Sequence, residues 1–254
     1  MFENKSYELY KGDCLEVMDE LINKGVKVDC ILADPPYGTT NCKWDSIIPF
    51  DDMWERINKL IKSNGAICLF GSEPFASALR MSNIKKYKYD WYWIKEKGKG
   101  HLNAKKMPLK SVETISVFYN SPPTYNPQFE KGLPYQKINC SKSKLNKGVY
   151  GKTKESYDTI NNGVRYPKTN LYFKSVQRTV HPTQKPVELL EYLIKTYTSE
   201  NEIVLDFTMG SGSTGVACLN TNRKFIGIEL DDKYFDIAKN RIEDAYNQIN
   251  KIEK

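Results

Sequence analysis

The stretch IVLDFTMGSGSTGVACLN, residues 203–220, decides the fold. A short apolar run ends in an acid, Asp206, and Gly210, Gly212 and Gly215 follow before small and apolar residues resume. An apolar run of this length closed by turn residues reads as a buried strand. The glycines let bare backbone approach a ligand at the start of the next helix. Four residues past that helix, KFIGIEL at 224–230 is a second strand, and Glu229 ends it. Strand, glycine loop, helix and an acid at the next strand end form a pocket for a cofactor that carries a ribose, with the carboxylate placed to take both hydroxyls. Several redox and group-transfer cofactors meet that description.

The same alternation runs through the rest of the chain. VDCILAD at 28–34 and AICLFGS at 66–72 are strands, and DDMWERINKLIKSNG at 51–65 is a helix closed by Gly65. A short helix follows at 73–83 with Pro74 near its first turn, and then two β-rich runs at 87–97 and 112–120. Residues 185–200 and 231–254 have helical spacing, and 201–207 is the strand already quoted. Strands alternating with helices predict an α/β fold with a doubly wound, mostly parallel sheet.

The chain has 254 residues, 40% of them hydrophobic, enough for a large core. No run of about 18 apolar residues and no leader-like start is present, so a soluble, intracellular protein without a membrane partner is expected. Six cysteines without a C-x-x-C pair, and only two histidines, give a zinc site little to build on. They read as reduced thiols, Cys30 and Cys68 packed within strands, and no metal is expected. The formal net charge is +7, and the excess clusters in two segments. One is KEKGKGHLNAKKMPLK, 95–110; the other spans 121–180, where eleven Lys or Arg stand against Glu130, Glu155 and Asp158. Clustered positive charge of this kind suits a polyanion.

A second strand end separates the cofactor classes. In ILADPPYGTTNCKWD, residues 31–45, a strand runs into Asp34, Pro35, Pro36 and Tyr37. Two prolines cannot continue a sheet ladder and hold one rigid shape. Hydride transfer has no use for such a corner, whereas methyl transfer to an exocyclic amine does. The lone pair of that amine is delocalised into its ring. The Asp34 carboxylate, with a backbone carbonyl fixed by Pro35 and Pro36, would localise it on nitrogen and aim it at a methyl donor. Tyr37 can stack on a base, which must leave its duplex to reach such a pocket.

Together these motifs resemble the β group of DNA amino-methyltransferases, in which the catalytic motif precedes the cofactor loop. DPPYG at 34–38 is similar to the catalytic motif of that family, DFTMGSGSTG at 206–215 to its cofactor motif, and HPTQKP at 181–186 to its signature before the first helix. The resemblance implies a doubly wound fold of the S-adenosylmethionine-dependent methyltransferase type, in residues 1–120 and 181–254, with a small inserted target-recognition region at 121–180. It implies that Asp34, Pro35, Pro36 and Tyr37 are catalytic and that Asp34 also borders S-adenosylmethionine. The methionine part would be held by Asp206, Phe207, Gly210, Gly212, Ser213 and Thr214, the ribose by Glu229 and the adenine by Asp13. Thr183 and Lys185 would lie near the cofactor carboxylate, although Thr183 and Pro186 also suit a plain helix start.

Duplex DNA is the implied partner. Lys95, Lys97, Lys99, Lys105 and Lys106 in the first basic segment, and Lys142, Lys144, Lys147, Arg165 and Arg178 in the second, are the candidates for binding it. The two arginines suit either guanine edges or phosphates. Aspartate at the head of the catalytic motif points to adenine N6, and serine there would point to cytosine N4. An RNA substrate, a non-catalytic nucleic-acid-binding subunit and a nicotinamide enzyme are the other readings. The resemblance further implies a cytoplasmic, bacterial or phage-encoded enzyme of a restriction–modification setting; members of the group often work as homodimers, and the sequence itself leaves monomer and homodimer both open.

Overall fold

A computed structural model describes residues 2, 5–39, 45–141, 156–177, 179–181 and 184–252. Thr183, Lys142, Lys144, Lys147 and Arg178 lie outside the described residues. The chain divides into two compact units, residues 1–126 with 169–254, and residues 127–168.

The larger unit is built on one eight-stranded sheet. Its strands are β1 (Tyr7–Lys11), β2 (Val28–Ala33), β3 (Ile61–Gly71), β4 (Tyr87–Lys99), β5 (Lys110–Phe118), β10 (Asn170–Tyr172), β11 (Ile203–Asp206) and β12 (Lys224–Glu229), in the order β1-β12-β11-β2-β3-β5-β4-β10. Only β5 runs against the others. The central strands carry apolar runs, Cys30–Ala33, Ala66–Phe70 and Val204–Leu205, that suit a sheet covered by helices on both faces. Cys30 and Leu32 of β2, with Ala66, Cys68 and Phe70 of β3, point into one core. There they meet α4 (Val187–Tyr197), α5 (Ser213–Asn220) and α6 (Asp232–Ile252). Ile31, Ala33, Ile67 and Leu69 point into the other core, against α1 (Cys14–Asn23), α2 (Phe50–Leu60) and α3 (Phe75–Ser82). The doubly wound, mostly parallel sheet expected from the alternation is present.

Three boundaries differ from the sequence reading. Helix α2 stops at Leu60, not Gly65, because Ile61 pairs beside Val28 and starts β3, and the register then slips before Cys30 meets Ala66. Gly65 sits in that irregularity, where a Cβ would lie 2.8 Å from the Asp29 carbonyl oxygen and 2.5 Å from Ile61. Second, β1 and α1 were not assigned from sequence; Asp13 caps α1, its Oδ1 accepting from Leu15 N at 2.8 Å. Third, the inserted region is narrower than 121–180. Asn126 donates to the last turn of α4, and β10 joins the large sheet along β4, so both flanks belong to the larger unit.

Among its described residues the smaller unit holds two antiparallel pairs. β6 (Glu130–Lys131) pairs with β9 (Val164–Arg165), and β7 (Tyr135–Ser141) with β8 (Ser156–Asn161). Arg165 lies over the Tyr135 ring, 4.8 Å from its centroid, and donates to the Leu133 carbonyl and to Asn161.

The placement of Gly65 is testable by a single methyl group. Gly65→Ala forces a Cβ onto a backbone carbonyl, an overpacking worth about 1–3 kcal/mol, and should lower the thermal midpoint by several degrees. An unchanged midpoint would mean that the backbone at Gly65 is not packed against the Asp29 carbonyl.

Candidate active site

Neighbouring strands bring the two acid-tipped loops together. β11 and β2 pair in parallel at Val204–Cys30 and Leu205–Ile31, so Asp206 and Asp34 leave the same sheet edge side by side although far apart in the chain. On the far side of β11, β12 delivers Glu229 to the same edge. A cleft of about 420 Å³ opens there. It is lined by Asp13, the 34–37 corner, Lys185, residues 206–211, Ser213, Thr214 and Glu229. Gly212 is the N-cap of α5 in the left-handed region, and a Cβ there would meet Ala238 at 2.9 Å.

Asp206 is buried to 3% exposure. Its Oδ2 accepts from the Thr214 hydroxyl at 2.6 Å and its Oδ1 from Thr208 N at 3.1 Å. Burial raises its pKa to about 7 against those two bonds. A carboxyl so poised has a use for an incoming cation. Glu229 accepts from Gly210 N at 2.8 Å and from Asp231 N at 2.9 Å, and burial lifts its pKa as well. The glycine loop is therefore tied to the acid at the next strand end.

At the other corner the Asp34 carboxylate is held on both oxygens. Lys185 donates to Oδ2 and the Tyr37 hydroxyl to Oδ1. Burial would depress the Lys185 ammonium, yet Asp34 and Glu113 hold it above the usual lysine value. Burial pushes Asp34 up while Lys185 works against it. The Tyr37 ring stacks on Phe75 with centroids 4.9 Å apart and 26° between planes. His181 packs edge-on against Tyr234 at 4.1 Å, and burial with the nearby Lys185 charge drops its pKa to about 4. It is neutral at physiological pH.

The structure gathers Asp13, Asp34, Tyr37, Lys185, Asp206, Gly210, Ser213, Thr214 and Glu229 around one cleft. One interaction is new and one expectation changes. Lys185 makes its ion pair with the catalytic-motif carboxylate, an interaction the resemblance did not imply. Lys95 is not a surface group. Its side chain is 8% exposed, its Nζ stands 3.0 Å from Glu113 Oε2, and it covers the Trp93 ring. Trp93 faces Glu113 across β4–β5, so Lys95 and Glu113 are diagonal neighbours on one sheet face. Lys97, Lys99, Lys105 and Lys106 are on the β4–β5 hairpin, which runs past the carboxyl edge marked by the Gly71–Thr114 pair. His181 and Asp45 also border the cleft. Sequence reasoning gave neither a role, although His181 opens the HPTQKP motif and Asp45 ends the quoted corner.

The fold and cleft define an α/β transferase whose cofactor pocket adjoins an acid-and-aromatic corner. The chain belongs to the DNA methylase family of N6 and N4 amino-methyltransferases, whose profile matches residues 28–240. Type II methyltransferase M1.MboII of Moraxella bovis is 26% identical over 249 residues, spanning 91% of this chain and 94% of its own. The crystal structure of the M1.HpyAVI–SAM complex superposes with a TM-score of 0.65 at 27% identity, covering 93% of this chain and 98% of that one. The cytosine-N4-specific PvuII methyltransferase shares the fold, with a TM-score of 0.63 at 17% identity over 96% of this chain and 94% of its own. S-adenosylmethionine is the cofactor and DNA the substrate. The residues fit that cofactor: a buried carboxyl with a raised pKa suits its positive charge, and Glu229 stands beside a glycine loop that admits close approach.

With Asp206 as a proposed cofactor residue, its raised pKa of about 7 predicts a pH dependence for cofactor binding. Below about pH 7 the carboxyl is protonated, so a cationic ligand must first expel a proton. The dissociation constant should rise by up to about tenfold for each unit below that point and level off above it. Titration calorimetry from about pH 5.5 to about 8.5, spanning the Asp206 value, measures this. An affinity flat across that range would remove Asp206 from the binding site.

Proposed function

We propose that this chain is a site-specific methyltransferase that moves the methyl group of S-adenosylmethionine to the N6 amine of an adenine flipped out of duplex DNA. The observation that carries this reading is the placing of the Asp34 carboxylate, with Tyr37, in the same cleft as the glycine loop and Glu229. The cofactor supplies an electrophilic methyl group. Asp34 and the carbonyl fixed by Pro35 and Pro36 accept the two N–H bonds of the amine, which returns the lone pair to nitrogen. Bound in the cleft, S-adenosylmethionine would give up its methyl group to that nitrogen and leave as S-adenosylhomocysteine, and the proton shed by the methylated amine would pass to solvent. Tyr37, backed by Phe75, offers a ring against which the base can stack.

Lys185 has a defined part in this scheme. Its ammonium opposes the burial that pushes the Asp34 carboxyl up, and so favours the form of Asp34 that accepts. Asp13, Asp206, Phe207, Gly210, Gly212, Ser213, Thr214 and Glu229 would hold the cofactor. Aspartate at position 34 supports adenine over N4-cytosine. The 127–168 unit is proposed as the target-recognition region, with Arg165 among the residues that meet DNA.

Two experiments test the reading. Asp34→Ala, folded and with normal cofactor affinity, should transfer labelled methyl groups to unmodified DNA at least about a hundredfold more slowly, a loss of roughly 2.7–4 kcal/mol by analogy with oxyanion donors. Tyr37→Phe should lose less than Tyr37→Ala, since the ring survives. Turnover of Asp34→Ala close to that of the parent would overturn the catalytic assignment. Mass spectrometry of the digested product separates N6-methyladenine from N4-methylcytosine.

DNA binding is tested on the hairpin. Changing Lys97, Lys99, Lys105 and Lys106 to Glu should flatten the log–log dependence of affinity on salt by about 0.9 for each phosphate no longer neutralised. Lys95→Met should leave that slope unchanged and lower stability, because its charge faces Glu113.

A further inference from the structure

We propose that Asp45 is a positioning residue that latches the catalytic corner in its working shape. This rests on the reading of Asp34 and Tyr37 given above. Three consecutive backbone N–H groups converge on its carboxylate. Tyr37 N and Gly38 N donate to Oδ1 at 2.8 and 2.9 Å, and Thr39 N donates to Oδ2 at 2.9 Å. Successive N–H groups turned to one side form a concave anion site, and here the protein's own carboxylate fills it. Gly38 makes the convergence possible. Its φ of +65° lies in the left-handed region, and a Cβ there would come within 2.9 Å of Ile47.

The consequence falls on Tyr37. Its main chain is fixed by Asp45, its ring by the stack on Phe75, and its hydroxyl by Asp34. Three anchors leave the ring one orientation. Asp45 itself is 8% exposed, so its bonds to the corner are sheltered from competing water. The residues next to Asp45 border the site as well: Ser46, Ile47 and Ile48 line the same cleft as Asp34, and Ile47 lies against Gly38. One carboxylate therefore ties the chain at 45–48 to the corner that carries Asp34. Its loss should leave the glycine loop and Glu229 in place while the corner loosens.

The test uses the full chain with Asp45→Asn and Asp45→Ala. Asn keeps the size of Asp and guards against a folding artefact. Amide hydrogen exchange at 37–39 should quicken by more than about tenfold in both variants, with the sheet unchanged. Turnover on unmodified DNA should fall by at least about tenfold, while the dissociation constant for S-adenosylmethionine stays within about threefold. Sodium formate should restore exchange protection and part of the turnover in Asp45→Ala, where the anion site is vacated, and not in Asp45→Asn, where the amide occupies it. Unchanged exchange at 37–39, unchanged turnover, or a cofactor affinity that falls in step with turnover would each overturn the proposal. A parent protein that transfers no methyl group to DNA, but whose variants show the exchange pattern and its rescue, would refute the function and retain the latch.

Discussion

The parallel pairing of β11 with β2 is the constraint on which the site depends. Two bonded positions, Val204–Cys30 and Leu205–Ile31, place the glycine loop and the proline corner at neighbouring strand ends. Everything that makes the cleft reactive is then a matter of short-range geometry. Since β12 flanks β11, Glu229 arrives on the same edge, and its bond to Gly210 N stiffens the loop between them. The sheet is apolar on both faces and covered by three helices on each, so its strands have no freedom to slide.

Much of this was legible in the sequence because the central strands are short apolar runs closed by Asp, Gly or Pro. Asp34, Asp206 and Glu229 each sit one residue past such a run or at its end, where an open α/β sheet puts its ligands. The rest needed tertiary information. Helical spacing continues through Met53, Trp54, Ile57, Leu60 and Ile61, and only the pairing of Ile61 with Val28 ends the helix early. β1 is a mixed edge strand, YELYK, and becomes a strand by pairing with β12.

Charges were the least legible part. Lys95 stands in a run of lysines and glycines that reads as a solvated loop, yet its partner, Glu113, lies on the antiparallel strand β5. Lys185 was placed by resemblance near the cofactor and is bonded to Asp34 from 151 positions away. Both ion pairs join segments that composition and periodicity treat separately. Asp45 is a third such case, since a carboxylate that accepts from three N–H groups of a turn leaves no periodic trace in the chain.

The double engagement of Asp34 has a kinetic meaning under the proposed reaction. Lys185 and Tyr37 each hold one of its oxygens, and a carboxylate has lone pairs to spare beyond those two bonds, so the resting corner is oriented before any base arrives. A base can add its N–H bond to a remaining lone pair without displacing either partner, so the acceptor is already aimed when the ring enters. The discrimination that matters then falls to the shape and stacking of the entering ring, and the acid acts only on a guest that has already fitted.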